Sequence, residues 1–510
     1  MIKKISAILL VLCMTVCLFA GCNNTTTTTT TSDYLIEGSG VQTGTQQGTT
    51  SGGNGSNGGN SNNSNGNSSG GNQGNTSKNP LDGVDLGGAT LTIYSVTEKI
   101  FDSSAKATTK SDNSRISMLK KLEKDLNCKI DNKSIAAGQL QTLAFTTISS
   151  GKSFAHIIAL NAHATAGMVA NKLAEDLSKI STIDLSQDYL DVGGAVEAST
   201  YGGGTWYVAE PINIYASAQG IFFNKRILEE IGYSDSQLYK MVDDNQWTIA
   251  KMREIAAKAV KDMDGKPGMT TEDRWGITYI DTESAFAPSV LEACGVKMLT
   301  VDKNGNINYN MENADVMNAI TLAGQIVKDS CSYGIGGSDK DRIKMFSTGK
   351  ALFFYAPAAN VSQFSDMEDD FGFLPFPSNK NDGQYHAAVN WNSTVLMIPK
   401  GLSDKEKQNA GSYLQAYAYL SEDLNEMVRD DYTARYFRDD ESGENMDIAA
   451  DGQKLTVAQS IGNTNEAILS GTYRVIWDWV GTKNTAVASH IQSTKSACVA
   501  AIKEFTEKLK

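Results

Sequence analysis

The chain has 510 residues, and its formal charge is 45 − 58 = −13. Nucleic acids and anionic lipid headgroups favour basic surfaces, so this balance argues against both as partners. Residues 81–510 are long enough for two lobes with full cores, and no window beyond residue 21 offers the ~18 continuous apolar residues of a bilayer span.

Met1-Ile2-Lys3-Lys4 supplies a short positive region, residues 5–19 are nearly all apolar, and Ala20-Gly21-Cys22 follows. That order predicts an export signal over residues 1–21. Leu18-Phe19-Ala20-Gly21-Cys22 resembles the lipobox of bacterial lipoproteins, in which the Cys thiol takes a diacylglyceryl group before cleavage on its N-terminal side. The resemblance implies lipidation at Cys22 and attachment to the outer face of the cell membrane. Residues 23–80 hold 13 Gly and 12 Asn but only three charged residues. So polar a stretch cannot offset its ordering entropy and is expected to stay disordered. As a Gly-rich coil of 58 residues it should span ~40 Å. Cys128, Cys294, Cys331 and Cys498 form no zinc-spaced cluster and read as buried free thiols, although a Cys294–Cys331 bridge stays open.

Thr90-Leu91-Thr92-Ile93-Tyr94 alternates as a strand. Ile116, Leu119, Leu122 and Leu126 then share one helical face, with Lys120, Lys121, Glu123 and Lys124 outward. Residues 128–130 read as a strand, 139–149 as a helix and 156–160 as a short buried strand. This alternation predicts a parallel sheet covered by helices. Gly193-Gly194 and Gly202-Gly203-Gly204 mark turns before an extended 206–209. Helices over 250–261, 311–329 and 404–420 and strands over 276–280, 351–355, 372–376 and 395–398 follow, with a helical C-terminus. No internal repeat is visible.

Five segments stand out together. These are Ile221-Phe222-Phe223-Asn224-Lys225 with its helix and Gly232, Trp247-Thr248 with its helix and Asp262-Met263-Asp264-Gly265, and Asp273-Arg274-Trp275-Gly276-Ile277. Phe346-Ser347-Thr348-Gly349-Lys350-Ala351-Leu352 and Phe371-Gly372-Phe373-Leu374-Pro375 complete the set. Each is weak alone, but the five stand in the order found in extracellular solute-binding proteins of family 1, which the chain resembles. The resemblance implies an α/β, two-lobed fold of the periplasmic-binding-protein type II, like maltose-binding protein, with a central cleft. It also implies three crossings, near residues 212–217, 371–375 and 421–429. The expected organisation is residues 81–211 in lobe 1, 212–372 in lobe 2, 373–425 returning to lobe 1, and 426–510 returning to lobe 2 with the C-terminal helices.

Ligands in such folds meet loops after strand ends. Asn161 and His163 follow one strand, Tyr215 lies at the first crossing, and Glu283 and Phe286 follow the strand ending at 280. Asn360 follows residues 351–355, Asn390-Trp391-Asn392 opens the strand ending at 398, and Trp477 and Trp479 lie beyond the third crossing. Indole faces stack on pyranose rings while Asn, Asp and Glu bond hydroxyls, which is the chemistry of sugar recognition. Trp247 and Trp275 read as core. Ala358 and Ala359 stand where sugar-binding relatives often carry an aromatic.

Gly151-Lys152-Ser153 has Thr146 where a phosphate loop needs Gly. Asp262-Met263-Asp264-Gly265-Lys266 lacks the third acidic ligand of a calcium loop. No metal or cofactor is expected. The expected function is a monomeric, lipid-anchored protein that captures a small solute, by residue type a mono- or oligosaccharide, and delivers it to the permease subunits of an ABC importer. A ligand-sensing lipoprotein would share the fold. A surface glycoside hydrolase would need a carboxylate pair, and the ordered motifs weigh against an enzyme.

Overall fold

The computed structural model describes residues 79–96, 100–334, 336–380, 383–390, 392–481 and 486–509. The export signal, Cys22 and almost all of the Gly/Asn-rich stretch lie outside the described residues, as does Trp391.

In chain order the principal strands are β1 (Ala89–Ser95), β2 (Cys128–Ser134), β3 (Ile157–Asn161), β4 (Val208–Ala209) and β5 (Gln219–Asn224). They continue as β6 (Trp275–Tyr279), β7 (Ser332–Tyr333), β8 (Ala351–Pro357), β9 (Phe371–Pro375) and β10 (Thr394–Met397). These ten make two five-stranded sheets, ordered β2-β1-β3-β10-β4 and β7-β6-β8-β5-β9. The sheets are mixed, whereas the sequence suggests parallel ones: β10 runs antiparallel to β3 and β4, and β5 antiparallel to β8 and β9. The reason is connectivity. Each reversed strand begins where the chain has just arrived from the other sheet, so it starts at the edge where its neighbours end.

Local chemistry fixes the elements. α1 (Lys110–Asp125) opens on a capping box between Thr109 and Asp112 and buries Ile116, Met118, Leu119 and Leu122. All six residues of β5 are buried, as a strand covered on both faces requires. Phe222 of β5 lies within 6.5 Å, centroid to centroid, of Phe346, Phe354, Phe364, Phe371, Phe373 and Phe437. Trp247 is fully buried against Phe353 and its Nε1 donates to Pro375 O at 2.9 Å, as its core reading requires.

One helix is longer than its sequence suggests. α2 (Asp404–Arg435) runs for 32 residues without the break expected after 420. Buried Ser421 bonds back to Tyr417 O, and Leu424 and Val428 prolong the apolar face. Among the described residues no helix is long and apolar enough to cross a membrane. Cys128, Cys294, Cys331 and Cys498 are all free thiols.

Candidate functional site

Strand direction decides where the two sheets present loops to each other. In the first sheet β1, β2, β3 and β4 end, and β10 begins, at one edge; in the second, β6, β7, β8 and β9 end, and β5 begins, at one edge. The chain passes from Ala209 to Gln219 through the short helix Pro211–Ala216, and from Pro375 back to Thr394. Both links join these same edges, so the loops after the strand ends of one sheet face those of the other.

Asn161 closes β3 opposite Thr394 of β10. Its Nδ2 donates to Asn392 O at 2.6 Å, and Ala162 N donates to Ser393 O at 2.9 Å. Asn390 accepts from Asn392 N at 2.9 Å through Oδ1, and its carbonyl accepts from Ser393 N at 2.8 Å. Asn390, Asn392 and Ser393 are thus tied together at the strand entrance. The Ser393 hydroxyl lies 3.3 Å from that of Ser217, and Thr394 N donates to Asn213 Oδ1 at 2.8 Å, both on the first link. His163 follows Asn161, half-buried in the 3-10 turn Ala162–Ala164.

The facing edge carries Asp281, immediately past β6 with a left-handed φ of 47°. Thr282–Phe286 forms a π-turn, a geometry that recurs at functional sites. Asn390 Nδ2 donates to Asp281 Oδ2 at 3.2 Å and so connects the two edges. Burial, reinforced by the charge of Asp339, pushes the Asp281 carboxyl up to about 6, against the Asn390 bond and the Arg342 charge. Glu283 lies in the π-turn, but its side chain is outside the described residues.

Asn360 stands after β8, 3% exposed, and its Nδ2 has no hydrogen-bond partner among the described residues. Tyr215 on the first link is buried and its hydroxyl donates to Asp447, whose other oxygen accepts from Arg429 Nη1 at 2.8 Å. Trp477 is half-buried beside Tyr473, with the Arg474 guanidinium 5.8 Å from its ring centroid.

Asn161, Asn390 and Asn392 are therefore brought together with Asp281. Phe286 and Trp479 sit apart. The Phe286 ring is fully buried, 4.3 Å from Tyr279, 5.1 Å from Tyr355 and 5.6 Å from Phe376. Trp479 packs over Gly324, where an added Cβ would stand 2.2 Å from its Nε1, and Lys328 Nζ lies 4.4 Å from its ring centroid. Asp281 and Arg342 are not among the sequence candidates. Asp281 is the first residue after the strand predicted to end at 280, so the strand-end rule reached the right loop and chose positions 283 and 286 beyond it. Arg342 carries no local signal.

The residues 106–420, more than half of the chain, match the family model of bacterial extracellular solute-binding proteins. The fold is similar to the cyclic α-maltosyl-1,6-maltose binding protein of Arthrobacter globiformis, at 15% identity and TM-score 0.57, covering 82% of this chain and 100% of that one. It is similar to the sugar-binding protein MalE of Xanthomonas citri, at 14% identity and TM-score 0.55, covering 82% and 97%. UspC of M. tuberculosis aligns at 16% identity and TM-score 0.55, covering 81% and 100%. No curated protein matches the chain in sequence. The chain belongs to the bacterial extracellular solute-binding proteins and has their two-lobed periplasmic-binding-protein type II fold, which places it among binding proteins rather than enzymes.

Proposed function

We propose that the solute is a mono- or oligosaccharide, held between the edge carrying Asn161, Asn390 and Asn392 and the edge carrying Asp281, and delivered to the permease of an ABC importer. The observation that carries this reading is the Asn390–Asp281 bond, which gathers amides and a carboxyl from both sheets at one place. Amides offer donors and acceptors together and a carboxylate offers acceptors only, the set that a ring of hydroxyls demands. Closure of two rigid lobes about such a group gives the permease a distinct form to recognise. Trp477 supplies an indole that can take a pyranose face. The similar Arthrobacter protein binds a cyclic maltosyl-maltose, and a Listeria protein of this fold was solved with cycloalternan.

In this reading lobe 1 is residues 81–211 and the return that ends at 425, and lobe 2 is residues 212–372 and 426–510; the boundary at 372 moves to Pro375, because β9 pairs with β5 in the second sheet. The mature chain is a monomer tied to the outer face of the cell membrane by lipid on Cys22, which the lipobox order Leu18-Phe19-Ala20-Gly21-Cys22 supports. Thermal-shift measurement against a glycan panel that includes maltotetraose tests the sugar reading. A ligand at 100 times its dissociation constant adds ~2.7 kcal/mol, a rise of several degrees. A panel that moves nothing, beside a peptide or polyol that does, would overturn it.

A further inference from the structure

We propose that Arg342 is a positioning residue: it fixes the turn that presents the Asp281 carboxyl to the solute. The proposal rests on the reading of Asp281 as a solute-facing group, and its geometry is local. Arg342 extends from the helix Asp339–Ser347 and is only 8% exposed. Its Nη1 donates to Tyr279 O at 3.0 Å and to Thr282 Oγ1 at 3.2 Å, gripping the chain on both sides of Asp281. Its Nη2 donates to Gly334 O at 3.3 Å and Gly336 O at 3.0 Å, which anchors the guanidinium to the neighbouring strand exit.

A buried guanidinium is costly unless a carboxylate pairs closely with it. Here the nearest paired carboxylate, Asp339, is 3.7 Å away, and Arg342 Nε has no hydrogen-bond partner among the described residues. Four carbonyl and hydroxyl acceptors offset part of that cost. The backbone they hold is itself unfavourable, since Asp281 is a non-glycine residue at positive φ ahead of a π-turn. An expensive side chain securing an expensive turn is the arrangement expected where one carboxyl must stand in one place. Lys at this position keeps the charge but lacks the planar fork that joins residues 279 and 282, held by Nη1, to residues 334 and 336, held by Nη2.

The groups facing Asp281 are Asp339 and Arg342 from one helix, Tyr355 from β8 and Asn390 from the entrance of β10, with Glu283 two residues along in its own turn. Of these, Arg342 is the cation that holds the carboxyl down against burial. The test follows the Asp281 carboxyl directly, by 13C NMR of full-length folded chain labelled at aspartate, with Asp281→Asn identifying the resonance. In the wild type it should titrate near 6. In Arg342→Met the midpoint should rise, because the cation that lowers it is gone. Arg342→Lys should titrate near the wild type yet bind maltotetraose at least tenfold more weakly, because charge returns without the fork. A midpoint that Arg342→Met leaves unmoved would overturn the proposal. If Arg342→Met does not fold, Arg342→Lys decides, and undiminished maltotetraose binding overturns it. Wild-type protein that ignores the whole glycan panel while the titration shifts as expected would instead sink the sugar reading alone, and Asp281→Asn with undiminished affinity would sink the site.

Discussion

Asn390 Nδ2 donates to Asp281 Oδ2 at 3.2 Å, a bond between the entrance of β10 in one sheet and the exit of β6 in the other. Asn390 also accepts from Asn392 N at 2.9 Å, so one amide ties its own strand entrance together and reaches across. Asn390→Ala removes both bonds and leaves Asp281 with a buried, less satisfied carboxyl, at a cost of about 1–3 kcal/mol in urea unfolding. Asn390→Asp separates charge from shape. It sets a second carboxylate against Asp281, so its deficit should grow from pH 5 to pH 8 as both ionise. A deficit independent of pH would mean that the bond carries no electrostatic weight.

Glu292 provides a second pH test. It is 8% exposed, and burial pushes its carboxyl up to about 8, with Lys297 and Lys454 pulling it down and Glu197 pushing it up. The folded chain then holds this proton more tightly than the unfolded chain. Stability from this group is fully present below the unfolded value of 4.5 and is lost as pH rises through about 8. Glu292→Gln, which stays neutral, should match the wild type near pH 4.5 and gain on it steadily to pH 9, by up to a few kcal/mol. Parallel Tm-against-pH curves for the two proteins would show that the carboxyl is not held neutral.

Much of the fold was legible because burial writes periodicity into sequence. Leu91 and Ile93 alternate inward in β1, and Ile116, Leu119 and Leu122 line one face of α1. Strand direction was not legible: β10 reads as an ordinary strand and β5 only as part of the segment opening at Ile221, and only their pairing shows that they run against β3 and β8. The extension of α2 beyond 420 was hidden because charged residues at 422, 423 and 426 resemble a helix end, while Leu424 and Val428 keep the apolar face going. At the site, amides beside strand ends were readable, and Asn161 and Asn390 follow that rule. Arg342 was not, because its contacts lie 60 and 63 residues away in the chain. Asp281 was missed by two residues, since sequence does not announce a left-handed residue that is not glycine or asparagine.

The anchor has its own test. Cys22→Ala should accumulate uncleaved at the lipobox or leave the membrane, because no described helix can hold the protein there. Processing and membrane fractionation at wild-type levels in the variant would end the lipoprotein reading.

The tryptophans separate core from site. Trp247 is fully buried, bonded to Pro375 O and packed on Phe353, so Trp247→Ala should cost ~3–5 kcal/mol of stability. Trp477 differs in kind. It is half-buried in the middle of the helix Tyr473–Val480, with the Tyr473 ring beside it and the Arg474 guanidinium near its own ring. Tyr473 is 1% exposed and holds that helix in the core without it. Trp477→Ala should therefore leave circular dichroism and unliganded Tm nearly unchanged. If the indole stacks on a sugar face, maltotetraose affinity should fall by about 1–3 kcal/mol, the scale of other aromatic platforms. The two readouts divide the outcomes. Loss of Tm with affinity intact would return Trp477 to the core, beside Trp247. Loss of affinity alone would extend the site from the Asp281 edge to the C-terminal helices, and that combination distinguishes a stacking platform from a packing residue.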